Sequence, residues 1–414
     1  MTTTGQLATR ATGKTISTPL LLTLALLSSI APFGTDLYLP SFPRMVTELS
    51  TSQTGVQLSL TAFLIGAGVG QVLFGPLSDR LGRRSPLVVG TIVFVLASAT
   101  AALAPTLVVL IAARLVQGLS GAAGMVISRA IVADRTKGVE AARALSLMML
   151  VGGIAPIIAP FAGSTLAGVV DWRGLLWIVT VIGAIAAAAT LVLVRDTRRA
   201  RPTAAHDGLA RHGLARQLAS PAYVGNAVAF GFGFATMMSY ISASPFLYQG
   251  LMGLSTIEYG LAFALNALAL SLVSMLSRRL NYRFPAAALA RAGLLINLTA
   301  IVVLALLAVL HVNALWLAVP IFFAVGSLGL VFGNSTALAL HAIPQASGLG
   351  SAFLGLLQFA LAGIISPLVS IGGKGTAIPL ALTMLGAALV ANAGAAFAAA
   401  ARRRAARQAA PLAG

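Results

Sequence analysis

Twelve stretches of about 20 or more mostly apolar residues divide this chain of 414 residues, and about 20 apolar residues is the length at which an α-helix crosses the hydrocarbon core of a bilayer. The approximate spans are 18–40, 55–77, 85–104, 106–131, 141–167, 172–194, 220–244, 256–277, 285–309, 313–340, 347–372 and 376–400. Charged residues make up only 9% of the chain, against roughly 25% in soluble domains. A chain this poor in charge has nothing with which to cover a water-facing surface, so the expected class is an all-α membrane protein. The first 17 residues are polar and carry Arg10 and Lys14 without an acid, as the head of a signal peptide does. The apolar run that follows, Pro19 to Pro40, exceeds the roughly 7–15 residues of a signal core, so it reads as an uncleaved first helix. The last span is so rich in alanine that composition alone separates it poorly from a soluble helix.

Orientation follows from the lysines and arginines, which accumulate in cytoplasmic loops. Twelve spans put both termini on one side. That side collects Arg10, Lys14, Arg80, Arg83, Arg84, Arg129, Arg135, Lys137, Arg143 and the cluster from Arg195 to Arg216. It also collects Arg278, Arg279, Arg283, Arg291 and Arg402 to Arg407, which brings it to 23 of the 27 basic residues. Only Arg44, Arg173 and Lys374 fall opposite, and Arg114 lies inside a helix. Both termini are therefore expected in the cytoplasm of a bacterial cell, with the chain in its cytoplasmic (inner) membrane. The net charge of +18, which in a soluble protein would point to nucleic acid, is explained by these loops, and no nucleic-acid partner is expected.

The longest polar stretch, Arg195 to Ser220, is basic and contains proline and glycine, so it reads as a linker. The expected organisation is a cytoplasmic tail (1–17), a first six-helix bundle (18–194), a cytoplasmic linker (195–219), a second six-helix bundle (220–400) and a basic tail (401–414). A degenerate internal repeat supports two halves. Ser277-Arg278-Arg279-Leu280, between the eighth and ninth spans, echoes the charged run between the second and third, without its aspartate and glycines.

That charged run is Gly75-Pro76-Leu77-Ser78-Asp79-Arg80-Leu81-Gly82-Arg83-Arg84. It reads as a tight loop joining two membrane helices and as a gating element. Asp79 is expected near the start of the eleventh helix, around Gln345 to Gly350, where the partial positive charge of a helix N-terminus attracts it. Asp134 is expected to hold Arg80 or Arg83.

Charge inside the bilayer is expensive and marks function by default. Asp36 lies well inside the first span and Arg114 inside the fourth. One reading is a proton-coupling pair, since burial and a neighbouring guanidinium act in opposite directions on a carboxyl group. The other is a static ion pair that fixes helix packing. Glu258, in the first turn of the eighth helix, complements the helix dipole or meets substrate. Gly118, Gly121 and Gly124 recur every three residues and make a small-residue face for close helix contact, with Gln117 one turn from Arg114. In the fifth helix Gly152, Gly153, Pro156, Pro160 and Gly163 gather two kinking prolines among glycines. They read as a hinge or seal between halves, or simply as a bent helix.

With these residues in place, the chain resembles the major facilitator superfamily. Gly75-x-x-x-Asp79-Arg80-x-Gly82-Arg83-Arg84 matches its loop between helices two and three, and the proline–glycine run of helix five is its exporter signature. Together with Thr35-Asp36-Leu37-Tyr38-Leu39-Pro40, the chain resembles twelve-helix drug:proton antiporters of the Bcr/CflA type, and among them the chloramphenicol-resistance exporters. The helix-five run departs from the pattern at Ala159 and Ala162, where glycine is usual. The resemblance implies two pseudo-symmetric six-helix halves working by alternating access, with Asp36 handling protons and Arg114 modulating it. It implies a small-molecule drug substrate, protons and lipid as partners, a monomer, and no cofactor. Candidate cavity residues are Tyr38, Gln117, Phe230, Phe234, Met237, Met238, Tyr240, Phe246, Asn266, Asn334 and Gln358, because aromatics and adaptable methionines suit varied hydrophobic drugs. Each of them can equally be plain packing.

The first rival is an exporter of an endogenous metabolite related to sugars or amino acids, which would show a more polar cavity. The second is a membrane enzyme. The four histidines (His206, His212, His311 and His341) are scattered, without metal-binding or nucleophile spacing, and no cysteine is present. No metal site and no catalytic residues are expected. A receptor or scaffold would leave Asp36 and Arg114 without a purpose, and no Walker A loop is present to use ATP.

Overall fold

A computed structural model describes residues 16–136, 138–195, 216–371 and 375–409. Residues 1–15 and 410–414, most of the expected linker, and Lys137 and Lys374 therefore lie outside the described residues, whereas the first part of the expected basic tail continues the last helix to Ala409. Within them the chain forms twelve long helices and no strand. They are α1 (Thr18–Asp36), α2 (Gln53–Leu81), α3 (Arg84–Ala102), α4 (Leu107–Arg135), α5 (Gly138–Leu166), α6 (Trp172–Leu193), α7 (Pro221–Pro245), α8 (Thr256–Leu280), α9 (Ala286–Val309), α10 (Ala318–His341), α11 (Ser347–Ile365) and α12 (Ile378–Ala409). All twelve spans are long and apolar enough to cross a membrane.

The helices start where the sequence offers a cap. Ser52, Thr106, Asp171, Ser220 and Ser255 each accept a bond from a backbone N–H of the first turn, satisfying donors that have no partner within the helix. Glu258 completes a capping box with Ser255, which accounts for its position without a substrate contact.

The loop expected at Gly75–Arg84 is shorter than the pattern suggested. α2 runs through Gly75 and Pro76 to Leu81, and the connection shrinks to Gly82 and Arg83. Gly82 stops the helix because its φ of 85° lies where only glycine sits without strain. The echo at Ser277–Leu280 is likewise the last turn of α8.

Packing inside the first six helices repeats in the second six. α1 packs on α4, α5 and α6, α2 on α4, and α3 on α4 and α6. Adding six to each number gives the second set: α7 on α10, α11 and α12, α8 on α10, and α9 on α10 and α12. The two sets meet through α2 against α11 and α5 against α8, which the same shift exchanges.

Lipid gives helices no hydrophobic reason to associate, so close backbone approach must hold them. A side chain at Gly66 or Gly70 would strike the α4 backbone at Leu115 or Leu119, and one at Gly118 would strike the α2 backbone at Phe63. The expected single glycine face on α4 is therefore a fan. Gly118 faces α2, Gly121 faces Phe94 of α3, and Gly124 faces Leu27 of α1, because a step of three residues rotates about 300° around a helix of 3.6 residues per turn.

Candidate functional site

The end of the molecule that holds Arg80, Arg83, Arg84, Arg278 and Arg279 is called here the basic end, and the other the far end. The first span is broken close to the far end. α1 stops at Asp36, a short 3₁₀ turn follows (Leu39–Ser41), and a second helix covers Phe42–Glu48. Pro40 and Pro43 supply the reason, since neither can donate the bond that would continue α1. The break leaves the last carbonyls of α1 without helical partners inside the bundle.

Arg114 answers that need. It is fully buried, and its Nη2 donates to the Gly34 carbonyl at 2.7 Å. Its Nη1 donates to Gln117 Oε1, and Gln117 Nε2 donates to Ser98 of α3 at 2.6 Å. The guanidinium carbon lies 4.6 Å from the Tyr38 ring centre and 4.5 Å from that of Phe63, within cation–π range. The static ion pair with Asp36, one of the two readings, is not formed: no Arg114–Asp36 contact occurs within 4.0 Å among the described residues. The guanidinium is drawn instead to the negative end of a broken helix two residues away. Asp36 itself is 5% exposed. The turn that follows it, Leu39–Ser41, packs against α7 and α8 of the second set. Gly163 of α5 presses directly on the Leu37 backbone beside Asp36.

The seam is tied at the far end. Gln57 Nε2 donates to the Ser242 carbonyl at 3.0 Å, Ser370 Oγ donates to Gln57 Oε1, and Gln249 Nε2 donates to the Pro40 carbonyl at 2.9 Å. Phe42 and Phe246 add an aromatic contact with ring centres 6.1 Å apart. These are the only hydrogen bonds between the two sets of helices among the described residues, and all lie at the far end.

At the basic end Asp79 does not meet the start of α11. Its carboxylate takes Arg83 Nη1 at 2.5 Å and its side chain is 65% exposed. Arg83 Nε donates to Asp134 at 2.9 Å. Partial burial pulls the Arg83 guanidinium pKa down, but hydrogen bonding and charge from Asp134, then Asp79, hold it above its ordinary value. Arg84 donates to the Leu191 carbonyl at the end of α6, and Arg80 is exposed. Around the start of α11, Gln345 is bonded to Gln217 and Gly350 to Tyr223, both within the second set. Among the described residues, hydrogen bonds and ion pairs join the halves only at the far end.

The candidate cavity residues separate into two groups. Tyr38, Gln117, Tyr240, Asn266 and Asn334 are buried and committed to packing. Tyr38 bonds Ser59; Gln117 bonds Arg114 and Ser98; Asn266 spends both amide hydrogens on Tyr240 and Tyr248; Asn334 ties α10 to Ser277 and Asn281. Asn266 and Asn334 each use both amide hydrogens within the protein, and Gln117 uses one. Phe246 belongs to the far-end seam and Met238 is buried. Phe230, Met237 and Gln358 are half-buried. Phe230 and Phe234 form an aromatic group with Phe332 and Phe359, ring centres about 6 Å apart, where α7, α10 and α11 meet α2 at Gly68. Phe332 and Phe359 carried no signal in the sequence, since phenylalanine in an apolar helix looks the same whichever way it points.

Gly152 and Gly153 of α5 have nothing within 4 Å of where a side chain would begin, and α5 continues through Pro156 and Pro160. Among the described residues no cluster suited to a metal ion occurs.

Comparison with known proteins agrees with this architecture. An uncharacterized MFS-type transporter, YdgK, from Bacillus subtilis is 32% identical over 372 residues, covering 89% of this chain and 92% of the relative. A bicyclomycin resistance protein homolog from Haemophilus influenzae is 29% identical, covering 88% and 92%. Among solved structures, a D-xylose–proton symporter superposes with a TM-score of 0.75 over 92% of this chain and 96% of that one, at 14% identity. Residues 24–367 match the sequence profile of the Major Facilitator Superfamily, and the chain belongs to that family of membrane transporters.

Proposed function

We propose that this transporter exports hydrophobic or amphiphilic drugs, chloramphenicol among them, across the bacterial cytoplasmic membrane in exchange for protons. The observation that carries the reading is Asp36: a carboxyl group buried at a helix break, just before a turn that packs on the second half, with the guanidinium of Arg114 occupied elsewhere. A carboxyl group there gains and loses a proton as the seam opens to water on one side and then the other. The basic end faces the cytoplasm in this reading, so it is the end that admits drug from inside. The relative named for bicyclomycin resistance supports drug export, and the aromatic group around Phe234 with Met237 supplies an adaptable apolar surface.

The test is drug accumulation in a susceptible, pump-deleted bacterium expressing the chain, with and without a protonophore, beside Asp36→Asn. Chloramphenicol and bicyclomycin are run in parallel. The expected outcome is lower accumulation of at least one drug, abolished by the protonophore and by Asp36→Asn. Protonophore-insensitive export by Asp36→Asn would remove the proton role. Unchanged accumulation of both drugs in every arm would reject them as substrates and turn the search to endogenous metabolites.

A further inference from the structure

Gln57 is a fully buried amide on α2 that spends both ends on the opposite half. Its nitrogen reaches the Ser242 carbonyl at the end of α7, and its oxygen takes the Ser370 hydroxyl beyond α11. No other side chain among the described residues bonds two elements across the seam. Around it the seam is poorly satisfied. The hydroxyls of Thr61, Ser164 and Ser366 are buried without a hydrogen-bond partner among the described residues. Thr61 lies where α2 meets α11 at Gly363, and Ser164 lies where α5 meets Gly260 of α8. Ser366 begins the 3₁₀ turn that packs on α2. A buried hydroxyl without a partner carries a desolvation penalty that water relieves. Opening the far end would relieve three such penalties and break the two bonds of Gln57.

We propose that Gln57 is the clasp that holds the far end shut, a positioning residue that sets the balance between the two access states. The three unpartnered hydroxyls are the opposing load that keeps the closed seam from becoming permanent. This rests on the alternating-access reading above but needs neither the drug nor the proton, so it fails or stands separately from them.

The chain contains no cysteine, so one introduced thiol reports alone. Ser164→Cys places it in the seam on a helix pair that Gln57 does not touch, and sacrifices no hydrogen bond. The purified full chain in nanodiscs is labelled with a hydrophilic maleimide and the rate is measured. In this background Gln57→Leu is expected to raise the rate about tenfold, the factor matching about 1.4 kcal/mol from two lost bonds. Ser370→Ala, which removes one bond, should give a smaller rise. Asn297→Leu is the control, because that buried amide bonds only Ala324 within the second half; its rate should stay at the parent value. An unchanged rate in a monodisperse Gln57→Leu protein overturns the clasp, and so does an equal rise in Asn297→Leu, which would mean general loosening. If Gln57→Leu does not fold, Ser370→Ala decides, and no rise there overturns the proposal.

Discussion

Arg114 was legible as a charge where charge is expensive, and so was Asp36. Their relation was not, because a sequence gives the cost of a buried guanidinium but not what relieves it. The relief comes from a carbonyl freed by the break at Pro40, a neighbouring amide and two aromatic faces. That set requires a planar, forked cation rather than merely a positive one. Arg114→Lys therefore keeps the charge but reaches only part of the set. It is expected to lower folding stability by about 1–3 kcal/mol and to reduce transport. Thermal melting together with a transport assay checks this, and a lysine variant equal to the parent in both would remove the capping role. Gln57 was invisible for the opposite reason. One amide in an apolar helix looks incidental until the fold brings Ser242 and Ser370 to it, from positions 185 and 313 residues away in the chain.

At the scale of the element, hydrophobic length gave all twelve helices, and the errors fell at their ends. α2 continues to Leu81 and the first span continues past Asp36 as separate short helices, because caps and left-handed glycines, not hydropathy, decide where a membrane helix stops. The glycines of α5 read alike in sequence but differ in surroundings. A side chain at Gly163 would meet the Leu37 backbone, whereas Gly152 and Gly153 face open space. Gly163→Val should destabilise the fold by about 1–3 kcal/mol through overpacking and disturb Asp36 beside it. The double variant Gly152→Ala, Gly153→Ala should melt no lower than the parent, since alanine favours a helix over glycine. If α5 bends there during transport, the double variant turns over more slowly despite its stability. Normal turnover would leave α5 a plain packing helix and sink the hinge.

For the whole molecule, the shift of six in packing partners means two similar sets of helices touch along one seam, and every hydrogen bond across it among the described residues sits at one end. In the alternating-access reading two such bodies rock, so that parting the far end would bring the basic ends together. That motion would carry Asp79 to the N-terminus of α11, whose partial positive charge attracts a carboxylate, and would supply the contact missing from this state. Cysteines at Arg80→Cys and Gly348→Cys, joined by a short bismaleimide, report how often those ends meet. The parent should cross-link poorly, because Asp79 is engaged by Arg83 and exposed. Gln57→Leu should raise the yield by loosening the far end. Adding Asp79→Asn should cancel that rise, because the amide keeps the shape of the side chain and loses the charge. A yield that rises with Gln57→Leu and ignores Asp79→Asn would keep the rocking motion and discard the latch. A yield that ignores Gln57→Leu, in a protein whose Ser164→Cys reporter has become reactive, would mean that the far end opens by local movement of α2 rather than by two rigid halves.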